Sequence, residues 1–113
     1  MKVNYKIWLE KDDEVKAFGK GPYDLLRHIK VCGSLNKACH SMGISYSKAS
    51  SILILCEESL GLELLNRTAG GPFGGGSSIT EDGERLMLSY EQFMSDVDLS
   101  IKQLYMEHFD HFD

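Results

Sequence analysis

Gly33 to Gly61, GSLNKACHSMGISYSKASSILILCEESLG, is the stretch that most restricts what this chain can become. Gly33 can end a preceding helix and Ser34 is a good N-cap, so a short helix is expected from Leu35 to near Gly43. Ile44 then plugs a tight turn. Ser45 caps a second, longer helix whose Ala49, Leu53, Cys56 and Leu60 recur at helical spacing. Two helices joined in this way form a helix-turn-helix, and its second helix can enter the major groove of DNA with its first turns against base edges. Those turns carry Tyr46, Ser47, Lys48, Ser50 and Ser51.

One residue on this helix breaks the pattern. Turning by about 100° per residue from Leu53 puts Leu55 nearly opposite the apolar face. It is expected in solvent, under a neighbouring element, or in a protein interface.

The 113 residues suit a single domain with one core. No N-terminal segment has the layout of a secretion signal and no stretch could span a bilayer, so a cytoplasmic protein without membrane contact is expected. Cys32, Cys39 and Cys56 are odd in number, lack CxxC spacing and fall on apolar helix faces, which predicts buried free thiols. The net charge of -5 sits awkwardly with DNA, whose affinity comes largely from cations on phosphates. Distribution matters more than the total. Most acidic residues follow Glu57 or lie in EKDDE, whereas Arg27, Lys30, Lys37 and Lys48 belong to the helical segment expected to face DNA.

Before that segment, Val3 to Glu10 alternates as a half-buried strand with Trp8 outward, and Val15 to Phe18 can return as a second strand. Residues 1–18 are therefore expected to form a hairpin. Pro22 suits the first turn of a helix whose Leu25, Leu26, Ile29 and Cys32 make one apolar face. After Gly61, LELLNRT reads as a strand, AGGPFGGGSS as a loop and Ile79 as the start of the return. This is a β-hairpin wing with Arg67 at its base and Phe73 at its apex. Glycine allows close backbone approach, so contact with DNA backbone or minor groove is the functional reading of the tip, against a plain flexible turn.

Thr80 caps a last helix, and Glu81, Asp82 and Glu84 suit its positive end. Leu86, Tyr90, Phe93, Val97, Ile101 and Leu104 recur every three or four residues to about His108. A helix of that length, near 40 Å at about 1.5 Å per residue, outruns one small core. Tyr90, Phe93, Val97, Ile101 and Leu104 are therefore expected to form a homodimer interface. The expected architecture is a single, mainly α domain over 1–113: hairpin 1–18, helix-turn-helix and wing 21–80, and C-terminal helix 81–108.

The order GSLNKACHSMGISYSKAS, ESLGLELLNRT, GGPFGGG and ITEDGERLMLSYEQF resembles the N-terminal winged helix-turn-helix domain of the molybdate-responsive ModE regulators, and more distantly LysR-type regulators. The resemblance covers Gly21 to about Phe93. It implies operator binding as a dimer, through the helix that opens at the SY pair and through the wing, with Tyr46, Ser47, Lys48 and Arg67 in contact. With the helix-turn-helix residues read above, the expected double-stranded-DNA-binding set is Ser34, Lys37, Ser45, Tyr46, Ser47, Lys48, Ser51 and Arg67. Ser47 and Ser50 stand where relatives commonly carry a basic residue and a tryptophan, which implies lower affinity or a different operator. The family's full-length regulators carry a separate C-terminal module that binds molybdate, and nothing after Asp113 supplies one, so the chain is expected not to sense the oxyanion by itself. No cofactor or metal is expected. His28, His40, His108 and His111 have no triad or metal-ligand spacing, which argues against an enzyme. The competing reading is a protein-interaction module on a winged-helix scaffold that has lost DNA binding, using Ile54, Leu55 and the acidic last helix to hold a separate protein partner.

Overall fold

The computed structural model describes residues 1–12, 15–67 and 77–112. Their order is β1 (Trp8–Glu10), β2 (Lys16–Gly19), α1 (Lys20–Cys32), α2 (Leu35–Met42), α3 (Tyr46–Leu60), β3 (Leu65–Arg67), β4 (Ser77–Ile79) and α4 (Glu81–Phe109), followed by a 3-10 turn at Asp110–Phe112. Two antiparallel hairpins, β1–β2 and β3–β4, flank the helices. The expected mainly α architecture with a small wing is what the chain adopts.

Side-chain burial explains how these elements lock together. Phe18, Leu25, Leu26, Ile29, Leu53 and Leu64 are wholly buried, each worth roughly 1.5–3 kcal/mol of apolar transfer. They come from β2, α1, α3 and the segment ahead of β3, so one core fixes all four. Cys39 and Cys56 are buried free thiols as expected, while Cys32 is only half-buried. Burial raises the Cys56 thiol to about 11, so it stays protonated and inert at neutral pH.

The N-terminal strand is shorter than its alternation suggests. β2 offers only four residues, and Trp8 already pairs with Gly19 at its end, so residues before Trp8 have no strand to join. Val3 and Tyr5 remain exposed, and the Tyr5 hydroxyl instead donates to Asp98 Oδ1 of α4 at 3.0 Å. Trp8 does face outward, with Lys16 Nζ 5.9 Å from its ring centroid. α1 begins at Lys20, which leaves Pro22 in its first turn.

In the wing, β3 is confined to Leu65–Arg67, and the return begins at Ser77 rather than Ile79, which pairs with Leu65. The expected tip, including Phe73, lies outside the described residues. The wing base is tied down at several points. Leu64 N donates to Glu57 Oε2 at 2.8 Å, Thr80 N to Leu64 O at 3.0 Å, the Thr80 hydroxyl to Glu63 O at 2.6 Å, and Ser77 N to Gly33 O at 3.3 Å. Thr80 Oγ1 also accepts from Gly83 N at 2.9 Å and so starts α4. A Cβ on Gly83 would stand 2.8 Å from Leu64 O and 2.7 Å from Ile79 Cγ2, so only glycine lets α4 approach both the segment ahead of β3 and β4.

That close approach gives a paired expectation. Gly83→Ala should destabilise the fold by about 1–3 kcal/mol through overpacking. Gly21→Ala, with nothing within 4 Å of the added methyl, should be neutral or stabilising by up to about 1 kcal/mol. Thermal unfolding of both variants checks this, and equal midpoints would remove the proposed role of Gly83.

Candidate nucleic-acid interface

Two serine caps and two left-handed glycines set the helix-turn-helix. Ser34 Oγ accepts from Lys37 N and Ser45 Oγ from Lys48 N, each at 3.1 Å, which satisfies a free N–H at the head of α2 and of α3. Gly33 (φ +86°) and Gly43 (φ +68°) end the preceding helices in a conformation that suits glycine. Between α2 and α3, Ile44 is half-buried and its N–H donates to Cys39 O at 3.1 Å, closing the turn.

Ala49, Leu53 and Cys56 of α3 point into the core. This fixes the rotation of the helix. Its opposite side is open: Ser47, Lys48 and Ser51 are exposed, as are Ser45 and Tyr46 at the head of the helix, whereas Ser50 is half-buried. Lys37 is exposed on α2, and Ser34 is half-buried beside it. The backbone of Arg67 closes β3 opposite Ser77; its side chain lies outside the described residues.

The positive face is narrower than the sequence suggests. Lys30 Nζ lies 2.8 Å from Glu84 Oε2 of α4, and Arg27 sits beside Tyr23, whose hydroxyl donates to Glu91 Oε2 at 2.7 Å. Lys30 thus serves the α1–α4 contact and Arg27 lies against Tyr23 on α1, which leaves Lys37 and Lys48 beside the outward edge of α3. Sequence reasoning also missed Glu57, whose carboxylate reaches past the end of α3 to anchor the wing; a half-buried glutamate seven residues before its partner leaves no periodic signal.

Along α4 the expected dimer stripe divides. Tyr90 is not available to a partner, because it is 7% exposed within the protomer, edge-on to Phe18 at 5.3 Å and 5.0 Å from Tyr23. The reason is geometric: α4 still covers the core at this turn. Beyond it Phe93 is 44% and Leu104 53% exposed, with Val97 and Ile101 half-buried between them. α4 runs 29 residues, about 43 Å at 1.5 Å per residue, in a molecule 63 Å long. Among the described residues no group of three or more His, Cys, Asp or Glu is placed to hold a metal ion, and no helix is long and apolar enough to cross a membrane.

An exposed second helix braced by a capped first one, a hairpin behind it and a long terminal helix define a winged helix-turn-helix. The model of the bacterial regulatory helix-turn-helix proteins of the lysR family matches residues 23–84, and the chain belongs to that family. It is similar to the transcriptional regulator ModE of Haemophilus influenzae, 37% identical over 67 residues, which are 59% of this chain and 26% of that protein. The full-length LTTR LysG from Corynebacterium glutamicum is 26% identical, with a TM-score of 0.53 over 76% of this chain and 28% of that one. A LysR family regulator, VV2_1132, shares the fold at 16% identity and a TM-score of 0.56, over 77% of this chain and 28% of that one. The ModE and LysR-type resemblances read from the residues both hold, and the chain spans about a quarter of the length of its curated relatives.

The caps make a direct test of this local geometry. Ser34→Ala and Ser45→Ala should each cost about 1 kcal/mol, the usual worth of a serine N-cap. Urea titration followed by circular dichroism checks it; wild-type midpoints in both variants would mean that the caps do not hold these helices.

Proposed function

We propose that this chain is the DNA-binding domain of a transcription regulator and that it binds double-stranded operator DNA as a homodimer. The observation that carries the reading is the open leading edge of α3, where Ser47, Lys48 and Ser51 are turned outward by the burial of Ala49, Leu53 and Cys56 on the other side and Tyr46 stands exposed at the helix start. A helix so presented fits the major groove, where serine hydroxyls and the Lys48 ammonium can hydrogen-bond base edges or phosphates. Ser34 and Lys37 at the head of α2, and Ser45 at the head of α3, brace the phosphate backbone. Helix N-termini favour anions, which compensates in part for the few cations. Arg67, at the wing base, takes the flanking phosphates.

Phe93, Val97, Ile101 and Leu104 join two copies, which presents two recognition helices to a two-fold site. Apolar groups on a helix that leaves its own core support this pairing. The protein acts in the cytoplasm, needs no cofactor, and does no chemistry of its own on this reading.

With so few cations, binding should be strongly salt-sensitive per contact yet shallow in total slope. Lys48→Ala and Arg67→Ala should each weaken duplex binding and lower the salt slope by about 0.9 per protomer, read by fluorescence titration at several ionic strengths. Unchanged binding in both variants would remove these roles. Phe93→Asp with Leu104→Asp should shift the protein to monomer in sedimentation equilibrium while leaving its fold intact; an undisturbed dimer would move the interface elsewhere.

A further inference from the structure

The outward face of α3 does not stop at Ser51. At about 100° per residue, Ser47, Ser51, Ile54, Leu55 and Glu58 fall on one side of the helix, and all five are exposed. Ile54 is 45% and Leu55 46% accessible, so neither is covered by the N-terminal hairpin or by α4. They straddle the line from Ser51 to Glu58, one turn beyond the hydroxyls and the lysine of the leading edge. Two large aliphatic side chains in water beside that edge require a reason.

Their continuity with the proposed DNA-reading edge supplies the occupant. From Ser47 to Leu55 the helix rises about 12 Å at 1.5 Å per residue, close to the roughly 12 Å width of the major groove. A helix seated there by Ser47 and Lys48 keeps Ile54 and Leu55 against the same duplex. The only apolar group that base pairs offer in this groove is the 5-methyl of thymine. Glu58 stands next on the ridge, and its carboxylate repels phosphate, which sets the far limit of contact.

We propose that Ile54 and Leu55 are specificity residues that pack against thymine 5-methyl groups and extend the reading edge of α3 by one turn. The proposal rests on the DNA-binding reading above. It also addresses the sparse positive charge: apolar contact in the groove is independent of phosphate neutralisation, so it adds sequence preference that salt does not screen.

The test uses the full chain and duplexes selected from a random pool by the wild-type protein. Each thymine of an enriched duplex is replaced by deoxyuridine, which removes the methyl and leaves pairing intact. Uracil at one or more positions should weaken wild-type binding by roughly three- to tenfold, the scale of one buried methyl. Ile54→Ala with Leu55→Ala should bind the thymine and uracil duplexes alike, with the far-ultraviolet spectrum of the wild type. Wild-type indifference to the methyl overturns the proposal without any variant, as does a double variant that still discriminates; either result assigns the two side chains to a protein partner or to no contact. Failure to enrich any duplex is a different outcome, because it sinks the DNA-binding reading and this proposal with it.

Discussion

The burial of Ala49, Leu53 and Cys56 is the contact on which the rest of the molecule depends. A helix can rotate about its axis unless one face is held, and these three side chains hold α3 against the core formed with Phe18, Leu25, Leu26 and Ile29. Once that face is in, Ser47, Lys48 and Ser51 are necessarily out, while Tyr46 is exposed because it stands at the very start of the helix. The caps at Ser34 and Ser45 then fix where each helix starts, so the reading edge has a defined height as well as a defined direction.

A second junction carries that order to the wing and to α4. Leu64 is buried, its N–H is held by Glu57 and its carbonyl by Thr80, while Gly83 allows α4 to lie against both. The wing base, the end of the recognition helix and the start of the long helix therefore share one small cluster. Displacement of any member would tilt the other two, which makes the relation of wing to α3 a property of the core rather than of the loop. Beyond Tyr90, among the described residues, only Met94 still packs against the core, and Phe93 and Leu104 of the long helix are exposed.

The charge distribution separates two duties that the sequence runs together. Arg27 and Lys30 precede the helix-turn-helix by only a few residues, yet Lys30 pairs with Glu84 of α4, and Arg27 lies against Tyr23, whose hydroxyl bonds Glu91. Exposed ion pairs of this kind add little stability, about 0–1 kcal/mol, but they withdraw cations from any surface meant for phosphate. On the proposed DNA-binding reading, an acidic chain with Lys37 and Lys48 beside the outward edge of α3 depends on hydrogen bonding, helix N-termini and shape more than on bulk attraction.

Local chemistry was enough to determine the helices, their caps, the turn at Gly43 and the position of the wing, because each depends on residues a few places apart. Ser34, Ser45, Thr80 and the inward spacing of Ala49, Leu53 and Cys56 could be read directly, and Leu55 could be placed opposite them. Tertiary structure alone decided what depends on distant partners. It began β1 only at Trp8 because β2 ran out, turned Tyr90 inward because Phe18 and Tyr23 were waiting, and spent Lys30 on Glu84. It also left Ile54 and Leu55 open beside the serines. Periodicity reports which side of a helix is apolar, but it cannot report which neighbour arrives to cover that side.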